Sequence, residues 1–206
     1  SVLESRERTM DYLTDPLLSE IAEWFSINKS WLTAASSSPI VAPGKIPDWH
    51  KLALQISNKI ADVSLKALPQ IILIRDTLAP SVDHFSYETL IGVCLITVKL
   101  KNGLPLRVAE YLGEQIPYGG HEQLFIDFMA YCGVLQKKRR AIVTACTTDA
   151  SSLELLSSGK VLPVMLLDKR LNHNYLNQWK KEELNLLHYP EKSVTKEWLK
   201  EIDNLN

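Results

Sequence analysis

LIGVCLITVKLKNGLPLRVAEYL, residues Leu90 to Leu112, decides how this chain folds. From Leu90 through Ile96 both alternating sets of positions are apolar, so neither face of the run can stand in water. It reads as a central strand covered on two sides. Asn102-Gly103 follows Lys101. A two-residue hairpin turn needs positive φ at both central positions, which Asn and Gly reach at least cost. Leu104 to Leu112 is therefore expected to return antiparallel.

Working outward, Ile71 to Ile74 is a short, wholly apolar strand ending in Arg75-Asp76. Before it, Asp48 can cap a helix with a stripe of Leu52, Ile56, Ile60, Val63 and Ala67, stopped by Pro69. Beyond the hairpin, the turn-rich Pro117-Tyr118-Gly119-Gly120 leads into a helix from about His121 to Val134. Ala141 to Ala145 reads as a strand, Ser151 to Ser158 as a helix closed by Gly159, and Val161 to Leu167 as another strand. The interval between those two strands is long enough for a parallel crossover. Asn172 to Tyr189 and Thr195 to Leu205 read as amphipathic helices split by Pro190. This order predicts an α+β fold, a mixed β-sheet with helices against it.

The start of the chain is different. Asp15 can N-cap a helix with Pro16 at its first position, and Leu17, Leu18, Ile21, Ala22 and Phe25 form one apolar stripe. Asn28 can cap a short turn carrying Trp31 and Leu32. Ala34 to Pro47 (AASSSPIVAPGKIP) has linker composition. The division expected is a helical segment over 1–33, a linker over 34–47 and an α/β domain over 48–206.

Within the first segment, Ile21 to Leu32 (IAEWFSINKSWL) resembles the fourth and fifth helices of Xre/Cro/C1-type helix-turn-helix regulators, the lambda-repressor-like class. Phe25, Ile27, Asn28, Trp31 and Leu32 carry the likeness, and Glu4, Ser5 and Arg8 resemble the segment after that family's recognition helix. Arg6 stands where the family usually has Gly, and the stretch between Arg8 and Ile21 is longer. The resemblance implies a partial helix-turn-helix whose first three helices precede this sequence. It also implies a regulatory or oligomerisation role for the larger domain, and Arg6 and Arg8 as DNA phosphate contacts in the intact protein. DNA would then be read only through residues this sequence lacks.

Bulk properties bound the rest. The chain has 206 residues, 46% of them hydrophobic, with formal net charge −1. That balance argues against nucleic-acid binding by overall electrostatics. No run approaches the roughly 18 apolar residues of a membrane span. Cys94, Cys132 and Cys146 each lie in an apolar run, as buried free thiols of a reducing cytoplasm do. No histidine or cysteine spacing suits a metal, no cofactor motif occurs, and no catalytic residue can be singled out.

Three places are candidate ligand sites. Thr147, Thr148 and Asp149, after Cys146, follow a strand and precede a helix, where open α/β sheets gather ligands; the plain alternative is a helix cap over a packed cysteine. Gly119, Gly120 and His121 allow close backbone approach at a helix start, or form a simple turn. Arg75-Asp76 with Asp83 and His84 could share acid–base work or line a surface loop. The run Lys137-Lys138-Arg139-Arg140 could attract phosphate, or keep the following strand from aggregating. The function expected is a cytoplasmic regulatory module, a homodimer that answers to a small-molecule or protein effector. The alternatives are a small α/β hydrolase or transferase near Cys146 to Asp149, and a structural or immunity-type interaction protein.

Overall fold

The computed structural model describes residues 12–46, 48–61, 67–76, 90–116, 122–167 and 180–182, together with 194, 198, 200 and 202. In chain order the elements are α1 (Asp15–Phe25), α2 (Lys29–Leu32), α3 (Trp49–Ile60), β1 (Gln70–Asp76), β2 (Ile91–Lys101), β3 (Leu104–Gln115), α4 (Glu122–Lys137), β4 (Ile142–Thr148), α5 (Ala150–Ser157), α6 (Pro163–Leu167) and β5 (Lys180–Glu182). The fold is α+β, a short helical segment followed by a mixed sheet with flanking helices.

The hairpin forms where its sequence demands. Asn102 has φ 49° and Gly103 φ 80°, and Lys101 pairs with Leu104. From this turn the ladder alternates, so Pro105 falls on β3 where its missing N–H faces the open edge and costs no bond to β2. Among the described residues, five strands lie in the order β3-β2-β1-β4-β5. Only β1 and β4 are parallel, and the other pairs are antiparallel. β1 thus lies in the middle of the sheet, and α4 carries the chain back across it from β3 to β4.

Alternation along the strands builds two cores. Ile71, Leu73, Ile91, Val93, Leu95, Val143 and Ala145 face α3 and α4, with Trp49, Phe128, Tyr131, Trp198 and Ile202. Ile72, Ile74, Cys94, Ile96, Tyr111 and Cys146 face the other way, under Ile40, Leu153, Leu156 and Leu166. Gly92 leaves room for Tyr111: a Cβ there would lie 2.4 Å from the tyrosine hydroxyl.

Several expectations need correction. Val161 to Leu167, read as a strand, instead ends in helix α6. A short apolar run fits either state, Pro163 suits a first helical turn, and Leu166 is buried in the second core. The parallel partner of β4 is consequently β1. Within Asn172 to Tyr189, read as helical, 180–182 pair with β4 as a strand, because the outer edge of β4 offers unpaired backbone groups. Helix α1 begins at Asp15 with Thr14 as its N-cap. Its stripe is only partly covered, Ala22 buried but Phe25 40% exposed. Ala67 lies in a bend beyond α3, and Val63 lies outside the described residues.

The stretch 34–46, of linker composition, is packed. Ile40 is buried in the second core and Ile46 in the first. Ile46 N–H donates to Glu114 O at 2.9 Å, and Ile40 N–H donates to Gly159 O at 3.4 Å. Gly159, φ 70°, is needed at this crossing, since a Cβ would come within 2.6 Å of Ile40 O.

Helix α4 closes on Arg139, which adopts φ 55°. Arg140 N–H donates to Leu135 O and Arg139 N–H to Gln136 O, a Schellman end. Glycine is the usual occupant of such a left-handed position, where a side chain costs about 1 kcal/mol or more. Among the described residues no helix is long and apolar enough to cross a membrane.

Candidate functional site

At the carboxyl end of the parallel pair, Arg75 on β1 stands beside Thr147 on β4, and Asp76 beside Thr148. Arg75, Thr147 and Thr148 are buried at 4%, 7% and 0% exposure. Asp149 is the N-cap of α5. Its Oδ1 accepts from Ser152 N–H at 2.9 Å and from Ser151 Oγ, and its Oδ2 accepts from Ser152 Oγ at 2.7 Å. Burial pushes this carboxyl up, but the serine hydrogen bonds outweigh it and hold Asp149 at about 2, against the ordinary 3.8. The carboxylate is ionised at neutral pH and engaged within its own helix end. Cys146 packs inward at 8% exposure.

Thr147, Thr148 and Asp149 are therefore together, as their contiguity requires. Gly119, Gly120 and His121, the Asp83 and His84 pair, and Arg6 and Arg8 lie outside the described residues.

A second place carries no sequence motif. A cleft of about 290 Å³ opens between the N-terminal segment and β3, lined by Ser26, Ile27, Ile40, Val41, Ala109, Glu110 and Tyr111. Ser26 ends α1 in the left-handed region, φ 53°, and so turns the chain back over the sheet. Its hydroxyl donates to Glu110 Oε1 at 3.0 Å, while Lys59 of α3 binds Glu110 Oε2. Asn28 N–H donates to Pro39 O at 2.7 Å, and Asn28 Oδ1 accepts from Ser30 N–H at 3.0 Å to cap α2. Tyr111 OH donates to Glu114 Oε2 at 2.8 Å.

The cleft has apolar walls at Ile27, Ile40 and Ala109, a carboxylate at Glu110, and Val41 at its rim, 76% exposed. Such a surface suits a small amphipathic molecule with a hydrogen-bond donor better than it suits covalent chemistry. Burial, then the neighbouring Glu114 carboxylate, pushes the Tyr111 hydroxyl above its ordinary range. Burial likewise pushes up the Cys94 and Cys132 thiols, so these groups stay protonated and are poor nucleophiles. Among the described residues no cluster of His, Cys, Asp or Glu is placed to hold a metal ion.

The pairing of Ser26 with Glu110 spans 84 residues, and no local pattern announces it. The only hint in the sequence is the alternation that puts Ala109 and Tyr111 on one face of β3. No protein-family model, curated protein or solved structure matches the chain.

Proposed function

We propose that this chain is the regulatory part of a cytoplasmic DNA-binding transcription regulator of the repressor type, acting as a homodimer. Sequence-specific reading of DNA belongs, on the resemblance, to a recognition helix outside residues 1–206. The observation that carries the proposal is the double character of the helical segment. On one side it is fastened to the sheet by Ser26, which binds Glu110, and by Ile27, which packs against the second core. Elsewhere it keeps large apolar side chains open: Tyr12 at 63% exposure, Phe25 at 40%, and Leu13 and Trp31 at 37% each. Large apolar side chains held in water favour a protein interface, and paired half-sites on DNA favour a two-fold dimer. A ligand in the cleft beneath Ser26 would shift the segment against the sheet by as much as it prefers one arrangement over the other.

Sedimentation velocity tests the proposal. A dimer is expected at micromolar concentration, and Phe25→Ser with Trp31→Ser is expected to give a folded monomer. A wild-type chain that stays monomeric, or a double variant that still dimerises, overturns this assignment. On this assignment residues 1–206 include no recognition helix, so they should not prefer an operator-like duplex over random sequence.

A further inference from the structure

The strand register leaves one short stretch of sheet edge facing the cleft. From the Lys101–Leu104 pair the backbone groups of β3 turn alternately toward β2 and away from it. Pro105, Ala109 and Tyr111 share one parity, so the N–H and C=O of Ala109 and Tyr111 point away from β2, and both residues line the cleft. This edge is closed on either side of them. Pro105 has no N–H to offer near its start. At the far end Lys45 forms a parallel bridge with Glu114, and Ile46 N–H donates to Glu114 O at 2.9 Å. The irregularity at Val93/Cys94 shifts the parity there, which turns the Glu114 carbonyl outward. Ala109 to Tyr111 remain, and among the described residues no backbone group pairs with their outer edge.

The walls of the cleft fit that edge. Its volume, about 290 Å³, lies at the lower end of small-molecule sites, and its rim at Val41 is open to water. An occupant therefore passes across it rather than being enclosed. Ile27, Ile40 and Ala109 supply apolar contact. Glu110 is the one ionised side chain in the lining, and Lys59 already neutralises it. Its carboxylate keeps acceptor capacity beyond Ser26 and Lys59, without a net charge that would draw in a cation or an anion. The outward amides of Ala109 and Tyr111 recur at about 7 Å, the two-residue repeat of an extended chain. Donors and acceptors at that spacing, beside an apolar pocket, match an uncharged peptide.

We propose that the cleft binds an extended, uncharged peptide segment of a partner protein, which adds to β3 as a short outer strand beside Ala109, Glu110 and Tyr111. Main-chain hydrogen bonds to Ala109 and Tyr111 supply affinity, and an apolar side chain of the segment seats against Ile27 and Ile40. The closures at Pro105 and Glu114 limit the addition to this window, so the edge recognises one segment without seeding further sheet. The effect of this occupant rests on the regulatory reading: the segment presses on Ser26 and Ile40, where the helical segment and residues 34–46 meet the sheet.

The test is titration of the isotope-labelled 206-residue chain with trivaline blocked at both ends, followed by amide chemical shifts. Saturable shifts confined to residues 26–27, 40–41 and 109–111 are expected. Ala109→Pro removes an outward N–H and no bond to β2, as Pro105 does on the same strand. It should weaken binding about tenfold, the scale of one backbone hydrogen bond. Peptides methylated at successive amides give a readout on the wild-type chain that needs no folded variant. Successive N–H groups of a strand point opposite ways, so one of the two methylations should cost as much. No saturable shift up to about 10 mM, shifts centred elsewhere, or equal binding by the folded variant or by both methylated peptides overturns the proposal. Tighter binding of isopentylamine, an apolar body with a cation and no peptide group, overturns it in favour of a small amine. Sedimentation keeps the two assignments apart. A dimer that binds no peptide sinks this inference and leaves the proposed function standing, whereas a monomer that binds the peptide does the reverse.

Discussion

On one face of the sheet, α3 and α4 press a set of interlocked rings onto β1, β2 and β4; on the other, two short helices and an irregular strap lie over aliphatic side chains. Trp49 packs against Phe125 and Phe128 with ring centroids 4.9 and 5.2 Å away, and Tyr131 meets Trp198 at 5.4 Å. Ser57 and Tyr131 share a buried hydrogen bond of 2.7 Å. Among the described residues, the second face has one buried aromatic in its core, Tyr111. Its cover consists of α5, α6 and residues 34–46, and the cleft opens at its margin. Aromatic pairs contribute beyond their buried area, whereas short helices owe nearly all their order to tertiary contacts. The first face is therefore the stable scaffold, and the second is the side that can rearrange around a ligand.

The comparison can be broken most easily at Trp49, which is 0% exposed. Trp49→Ala is expected to cost about 3–5 kcal/mol, measured by urea denaturation; a cost near 1 kcal/mol would remove the ranking of the two faces. On the second face, Gly92→Ala forces Tyr111 from its seat and away from Glu114. It should cost about 1–3 kcal/mol, and Tyr111→Phe in the same chain should recover part of it. An unchanged midpoint would show that Tyr111 moves freely.

Ser26→Ala tests the fastening of the N-terminal segment. The exposed hydrogen bond to Glu110 contributes about 0.5–1 kcal/mol, so global stability should barely move. Amide exchange over residues 22–32 should quicken while that of α4 does not. Uniform change in both would mean that the segment and the sheet open as one unit.

A smaller effect, confined to acid pH, is expected at Asp149. Its folded value, about 2, lies below the ordinary 3.8, so the native state binds the proton less tightly than the unfolded chain. The stabilisation is full above 3.8 and is lost as pH falls through about 2. Asp149→Asn retains a capping oxygen and should flatten stability against pH across that acid window alone. Cys146→Ser should leave folding and oligomeric state intact, checked by melting and sedimentation.

Much of the frame was legible in the residues. The Asn102-Gly103 turn, the caps at Asn28, Asp48 and Asp149, and the central strand all depend on neighbours within a few positions. Their backbone angles and first hydrogen bonds are settled locally. Val161 to Leu167 was not legible, because an apolar run of that length satisfies a strand or a helix equally until the rest of the core chooses. Nor was the packing of Ile40 and Ile46, since proline, serine and glycine resist regular structure without forbidding burial. The cleft escaped the sequence because its acid and its serine, Glu110 and Ser26, lie 84 residues apart.

By itself the sequence determined the hairpin, the helix caps and the burial of the three cysteines, because each follows from short-range geometry and from the aversion of apolar side chains to water. Only the tertiary structure decided that β1 would lie between β2 and β4, that residues 180–182 would join the sheet edge, and that Ser26 would meet Glu110. Those outcomes depend on strand register and on which surfaces remain to be covered, quantities that exist only once the chain has closed on itself.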